Sequence, residues 1–230
     1  MLQRLLRIAL VSILAALTVV TTAFAVTGST PDGDAHPYVG ALVVDGAVQC
    51  SGVLIAPAVF ATAGHCGADG SRVAVAFASQ LDAGWSLLEG TLEVDPAKKA
   101  DLAVVVLDAP APVAPASLAS AGAVESLAKG ATVTSVGYGY SSRTADGTFV
   151  YDGLRRVAAS PVVRVAKSTL VISTQTAGPC MGDSGGPQLD GDTVLSVTST
   201  GSKDCSGQAE GYRLDTVAAR SFLGTFVPLP

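Results

Sequence analysis

Asparagine is absent from all 230 residues, so no Asn-X-Ser/Thr sequon exists and N-linked glycosylation is ruled out. Charge is scarce as well: Lys, Arg, Asp and Glu make up 14% of the chain, with a formal net charge of −5. No basic cluster of the kind that grips a phosphate backbone is present, which argues against nucleic acid as a partner. Histidine occurs only at 36 and 65, and the four cysteines show no C-x-x-C spacing. Those numbers argue against a zinc site, and neither a metal nor another cofactor is expected.

Long apolar runs are missing too, with one exception at the start. Arg4 and Arg7 precede "IALVSILAALTVV", a 13-residue apolar run, and Ala23-Phe24-Ala25 follows with the small-x-small pattern that a signal peptidase accepts. Residues 1–25 therefore read as a secretory signal, removed from the mature chain, which then has no stable membrane association. An uncleaved anchor is the alternative, since "TTAFAV" lengthens the run toward a bilayer span. Arg4 and Arg7 leave with the signal, so 12 basic side chains face 19 acidic ones in the secreted form. Cysteines 50, 66, 180 and 205 suit the same oxidising compartment; four allow three pairings, and spacing does not choose among them. The richness in Ala, Gly and Val points to a bacterial source.

What the chain does have is short Val-rich runs. "YVGALVV", "VQCSGVLIA", "VFATA", "RVAVAF", "SLLEGTLEV" and "LAVVVLD" are separated by Asp, Gly, Pro or Ser, and they imply six strands before residue 108. "DAPAPVAPASLASAGA", residues 108–123, is too rich in Pro and Ala to pair in a sheet and reads as a connector. The strand pattern then resumes with "ATVTSVGYGY", "TFVYDGLRRVAAS", "VVRVA", "TLVIST", "VLSVTST" and "GYRLDT". Only Asp215 to Phe226 looks helical, capped by Asp215 or Thr216, with Val217, Ser221 and Gly224 on one side. The expected fold is all-β: two six-stranded antiparallel barrels, 26–107 and 124–230, with a C-terminal helix.

Three stretches carry chemistry. In "CMGDSGGP", residues 180–187, glycines crowd one acid and one serine; the bland reading is a surface turn, the sharper one a loop that exposes a hydroxyl and aims N–H groups. His65 ends the "VFATA" strand beside Cys66, whereas His36, before a proline near the mature N-terminus, reads as a surface loop residue. Asp101 opens an apolar strand, where a carboxylate needs hydrogen bonds to be tolerated; Asp95 and Asp108 are equivalent acids on local evidence.

Taken together, "TAGHC", "ADLAVV" and "GDSGGP" run in the order His, Asp, Ser across two β-rich halves. In this the chain resembles the trypsin-like, chymotrypsin-fold serine peptidases, over essentially residues 26–226. Gly64 stands where that family more often has alanine. The resemblance implies a secreted, monomeric endopeptidase acting on proteins or peptides, with Ser184 as nucleophile, His65 as general base and Asp101 orienting it. The N–H groups of Gly182 and Ser184 would form the oxyanion hole. It also implies disulfides Cys50–Cys66 and Cys180–Cys205. Asp183 would pair with a freed N-terminal ammonium; no Ile-Val-Gly-Gly sequence is present, but Val26-Thr27-Gly28-Ser29 follows the signal, 40 residues from Val26 to His65 inclusive.

For the substrate pocket the resemblance puts Gly178 at the base, where trypsins carry an aspartate, and Ser199, Thr200 and Gly201 in the wall. Gly178 favours an apolar or aromatic side chain. One register brings Glu210 into the pocket and would favour Lys or Arg; a shift by one brings Gly211 instead. Two other functions are weighed: a catalytically silent binding protein on the same fold, and a nucleophile-elbow esterase, which fails because no histidine follows Ser184.

Overall fold

The computed structural model describes residues 29–82 and 85–230. The signal segment and Val26 lie outside the described residues. Strands β1 (Val39–Val44), β2 (Ala47–Ala56), β3 (Val59–Thr62), β4 (Arg72–Ala76), β5 (Leu88–Val94) and β6 (Ala103–Leu107) close into a barrel in the order β1-β2-β3-β6-β5-β4. Every pairing in it is antiparallel. The six apolar runs of the first half account for these six strands.

Strands β7 (Thr132–Gly137), β8 (Arg156–Val165), β9 (Thr169–Ser173), β10 (Pro187–Asp190), β11 (Thr193–Gly201) and β12 (Gln208–Arg213) form the second ring. Its pairings run β7-β8-β9-β12-β11-β10 and back to β7, all antiparallel. Here the sequence pattern needs three corrections. Strand β8 passes straight through Pro161, which sits opposite Thr132 with a bulge just after it. A proline is tolerated because its ring faces outward at an irregular point of the ladder. Strand β10 begins at Pro187, which looks like a loop end in sequence. The connector also pairs: Ser117–Leu118 lies parallel to Thr193–Val194.

Helix α1 spans Val217–Leu223, and Thr216 caps it by accepting from the Ala219 N–H at 3.2 Å. Its buried face is Ala219 and Leu223, while Val217 is 88% exposed; the face expected through Val217 is the outer one. Asp215 is instead buried, bound by Arg213 and accepting from the Val124 N–H.

The largest apolar cluster spans both barrels, from Val39, Leu54, Phe60 and Val105 to Tyr138, Leu189, Tyr212 and Leu223, and a separate one of Val133, Val162, Leu170, Ile172 and Leu195 fills the second. Fully burying a Leu, Val or Phe side chain contributes about 1.5–3 kcal/mol, so the barrels are fused by the same force that fills each. The cleft where they meet holds the three sequence stretches singled out above.

Candidate active site

His65 sits in a 3-10 turn, Gly64–Cys66, that leaves the end of β3, and Asp101 lies just before β6. Strands β3 and β6 pair with Thr62 opposite Ala103, so register alone brings the two residues together. The Asp101 carboxylate accepts twice from His65: from its backbone N–H at 3.0 Å and from ring Nδ1, which is 3.0 Å from both oxygens. This puts the ring proton on Nδ1 and leaves Nε2 as the basic nitrogen. Ser199 Oγ donates to the other side of the same carboxylate at 2.5 Å.

The hydrogen bond to Asp101 raises the His65 pKa above its ordinary value, against burial, which works to lower it. For Asp101, burial pushes upward, but the bonds from His65 and Ser199 outweigh it and hold the carboxyl below its usual range. The pair is thus biased toward imidazolium and carboxylate, the charge state a general base passes through.

Ser184 lies in the turn before β10, and its carbonyl accepts from the Ser51 N–H of β2 at 2.8 Å. Cys66 is disulfide-bonded to Cys50, and its sulfur is 3.9 Å from the same Ser184 carbonyl oxygen. Cys180–Cys205 forms the second disulfide, tying the serine loop to the segment after β11. Both pairings are those the resemblance implied. Cys50, His65 and Cys66 cluster as a metal site could, but both sulfurs are consumed in the disulfide.

The backbone N–H groups of Gly182 and Ser184 have no acceptor among the described residues. Gly182 has φ +90°, a conformation that favours glycine. Asp183, between them, is buried and accepts from Gly139 N–H at 2.7 Å and Cys180 N–H at 2.8 Å. Burial pushes its pKa up to about 6, with those two N–H groups pulling the other way. Asp183 also lines a small inner cavity with Ser29, the first described residue, and with Gly139, Gly178 and Thr198.

Beside Ser184 opens a groove of about 230 Å³, bordered by Met181, Thr198, Ser199, Thr200, Gly201, Lys203 and Ala209. Ser199, Thr200 and Gly201, assigned to the pocket wall by the resemblance, line this groove. Gly178 does not; it belongs to the inner cavity, where Thr174 and Ser160 pack against it. Glu210 is outside the lining as well, its carboxylate 3.3 Å from Arg164 on β8, and strand alternation turns Ala209 inward in its place. Gly211 packs against Gln188 and Ser196.

The trypsin family model matches residues 25–220. The chain belongs to the trypsin family. No curated protein sequence matches it significantly. Among solved structures of the fold, HL collagenase aligns with TM-score 0.69 at 20% identity, covering 84% of this chain and 95% of its own. Human heparin binding protein aligns with TM-score 0.72 at 20% identity, covering 89% of this chain and 98% of its own. A second structure described as HBP gives TM-score 0.72 at 19% identity, with 89% and 98% coverage. At such identities the likeness establishes the two-barrel fold, and what the site does rests on its own residues.

Two functional contacts were not legible in sequence. Ser199 reads as pocket wall, yet its hydroxyl is bound to Asp101; Ser51 reads as a strand residue, yet it touches the serine loop. Ser199 stands between two threonines and Ser51 between a cysteine and a glycine, so nothing local marks either hydroxyl.

Proposed function

We propose that the chain is a secreted serine endopeptidase. The observation that carries this reading is His65 held through Nδ1 by both oxygens of Asp101, at a cleft whose other wall presents Ser184 and two unpaired N–H groups. In the proposed reaction Ser184 Oγ attacks the substrate carbonyl carbon while Nε2 of His65 takes the hydroxyl proton. The tetrahedral oxyanion is met by Gly182 and Ser184 N–H, each worth roughly 3 kcal/mol. The C–N bond breaks as His65 returns the proton to the amine, and water then hydrolyses the acyl-serine by the same route. The groove lining contains no carboxylate and one cation, Lys203, which favours apolar or other non-basic side chains before the scissile bond.

Residues 26–107 and 124–230 act as the two halves of one monomeric unit, joined by 108–123. Val26, exposed by signal peptidase, completes it: from Ser29 three residues reach back at most about 10 Å, and Ser29 already lines the cavity that Asp183 faces. An ammonium there would relieve the burial that lifts the Asp183 pKa. An α-amino pKa near 8 makes activity fall at alkaline pH. Fully active enzyme with a mature start far from Val26 on N-terminal sequencing would remove this step.

The deciding experiment is labelling with a fluorophosphonate probe, wild type beside Ser184→Ala. Modification mapped to Ser184 and lost in the variant is the expected result. A folded protein starting at Val26 that takes no label would favour the second reading, a binding protein on the trypsin fold. That alternative draws on the fold neighbour named for binding heparin.

A further inference from the structure

Ser51 follows Cys50 on β2 and is completely buried. Its hydroxyl does two things: it accepts from the Tyr138 N–H at 2.9 Å and donates to the Gly182 carbonyl at 2.9 Å. Its backbone is fixed on both sides as well, with its N–H on the Ser184 carbonyl at 2.8 Å and its own carbonyl accepting from Thr62 Oγ1 at 2.8 Å. Space for the hydroxyl is left by glycines, since a Cβ on Gly137 would come within 2.9 Å of Ser51 Oγ and one on Gly186 within 3.2 Å of Ser51 Cβ.

Three successive N–H groups of the second barrel stitch down the serine loop. Tyr138 donates to Ser51 Oγ, Gly139 to Asp183 Oδ1 at 2.7 Å, and Tyr140 to the Met181 carbonyl at 2.9 Å. A trans peptide points its C=O and N–H to opposite sides, so holding the Met181 carbonyl fixes which way the Gly182 N–H faces. Holding the Gly182 carbonyl fixes the next peptide plane. Gly182, at φ +90° and without a side chain, could otherwise rotate between these planes.

We infer that Ser51 is a positioning residue for the oxyanion hole: a hydroxyl from the first barrel aims the Gly182 peptide of the second. The inference rests on the endopeptidase reading. Without the hydroxyl, Tyr138 N–H and the Gly182 carbonyl are both buried unpaired, and turning the Gly182 peptides is the cheapest way for them to find partners.

The test compares wild type, Ser51→Ala and Ser51→Cys, each counted by active-site titration, on a peptide ester substrate. Ser51→Ala is expected to lower kcat by about tenfold to a hundredfold with KM within about twofold and the pH midpoint of the acid limb unchanged; Ser51→Cys, a weak donor, falls between. A peptide boronate, which places an oxygen in the hole, loses affinity in parallel with kcat. Unchanged kcat per titrated site in Ser51→Ala overturns the inference, as does a loss confined to KM. Amide hydrogen exchange is read alongside because it needs no activity. Faster exchange in Ser51→Ala at Asp183, whose N–H is held by the Cys180 carbonyl at 3.0 Å, with Leu107 of the first barrel unaltered, supports the clamp even if no substrate is turned over, and unaltered exchange at Asp183 overturns it. Failure of the endopeptidase reading shows separately, as an unlabelled wild type.

Discussion

The molecule contains two histidine–aspartate pairs built on almost the same contacts. In each, one carboxylate accepts from the backbone N–H and from Nδ1 of the same histidine: Asp32 from His36 at 3.1 and 2.5 Å, Asp101 from His65 at 3.0 and 3.0 Å. They differ in what else touches the carboxylate. The Asp32 side chain is fully buried and also receives Nε of Arg155, a side chain only 2% exposed, at 2.8 Å. Asp101 receives only the neutral hydroxyl of Ser199. Asp32 is thus braced between a histidine and a buried guanidinium and the first pair is a staple, whereas Asp101 holds only its histidine and a neutral hydroxyl. The imidazoles differ too. His36 packs edge-on against Tyr38 at 5.9 Å, whereas the His65 side chain is 47% exposed at the cleft.

The sharpest break of this comparison is the same substitution at both sites. Asp101→Asn should lower kcat by about 10⁴ while leaving the melting temperature nearly unchanged. Asp32→Asn should do the reverse, costing roughly 3–5 kcal/mol because Arg155 stays buried without its counter-charge, with normal kcat per titrated site. Denaturant unfolding and active-site-titrated kinetics, measured on both variants, read the two effects. If Asp32→Asn lost turnover without stability, the staple reading would fail.

A milder effect is expected at Ser199. Ser199→Ala removes one charge-assisted hydrogen bond from Asp101, and a loss of about tenfold in kcat is expected, together with a rise in the Asp101 pKa. The equivalent polar neighbour at the other site, Tyr38, donates to Asp192 and not to Asp32, so Tyr38→Phe should leave kcat unchanged.

The smallest effect is a pH shift. Because the His65 pKa is raised, its protonated, paired form stabilises the fold fully below about 6.5, the unfolded value, and that stabilisation disappears as pH rises through the folded value. Activity runs the opposite way, since only the neutral ring can take a proton. The acid limb of kcat/KM should therefore lie above the ordinary imidazole value and move further up in Ser199→Ala, where Asp101, one donor short, holds the imidazolium more strongly. An acid limb at or below that ordinary value would show that Asp101 does not hold the ring in solution.

Much of this was legible in the order of residues, for reasons that differ by region. The first barrel is plain because its strands are continuous apolar runs with turn residues between them. The second is harder because Pro161 sits inside a strand and Pro187 begins one, so the residue that normally ends a segment misleads twice. His65 and Ser184 stand in distinctive local sequence, whereas Asp101 was singled out from Asp95 and Asp108 only by its place in the His, Asp, Ser order, and the structure brings it into contact with His65. The role of His36 was hidden because Arg155, which completes the staple on Asp32, is 123 positions from that aspartate, and nothing local in "GDAHPY" announces a staple. Glu210 was misleading for a geometric reason: one residue of register in a strand turns a side chain to the opposite face.

The Ser184 carbonyl, held by the N–H of Ser51 across the cleft, ties the proposed nucleophile of one barrel to the wall of the other. His65 and Asp101 come from one barrel and Ser184 from the other, and neither half assembles a working set before they dock. An unfolded or half-folded chain therefore carries every member of the proposed triad without their arrangement.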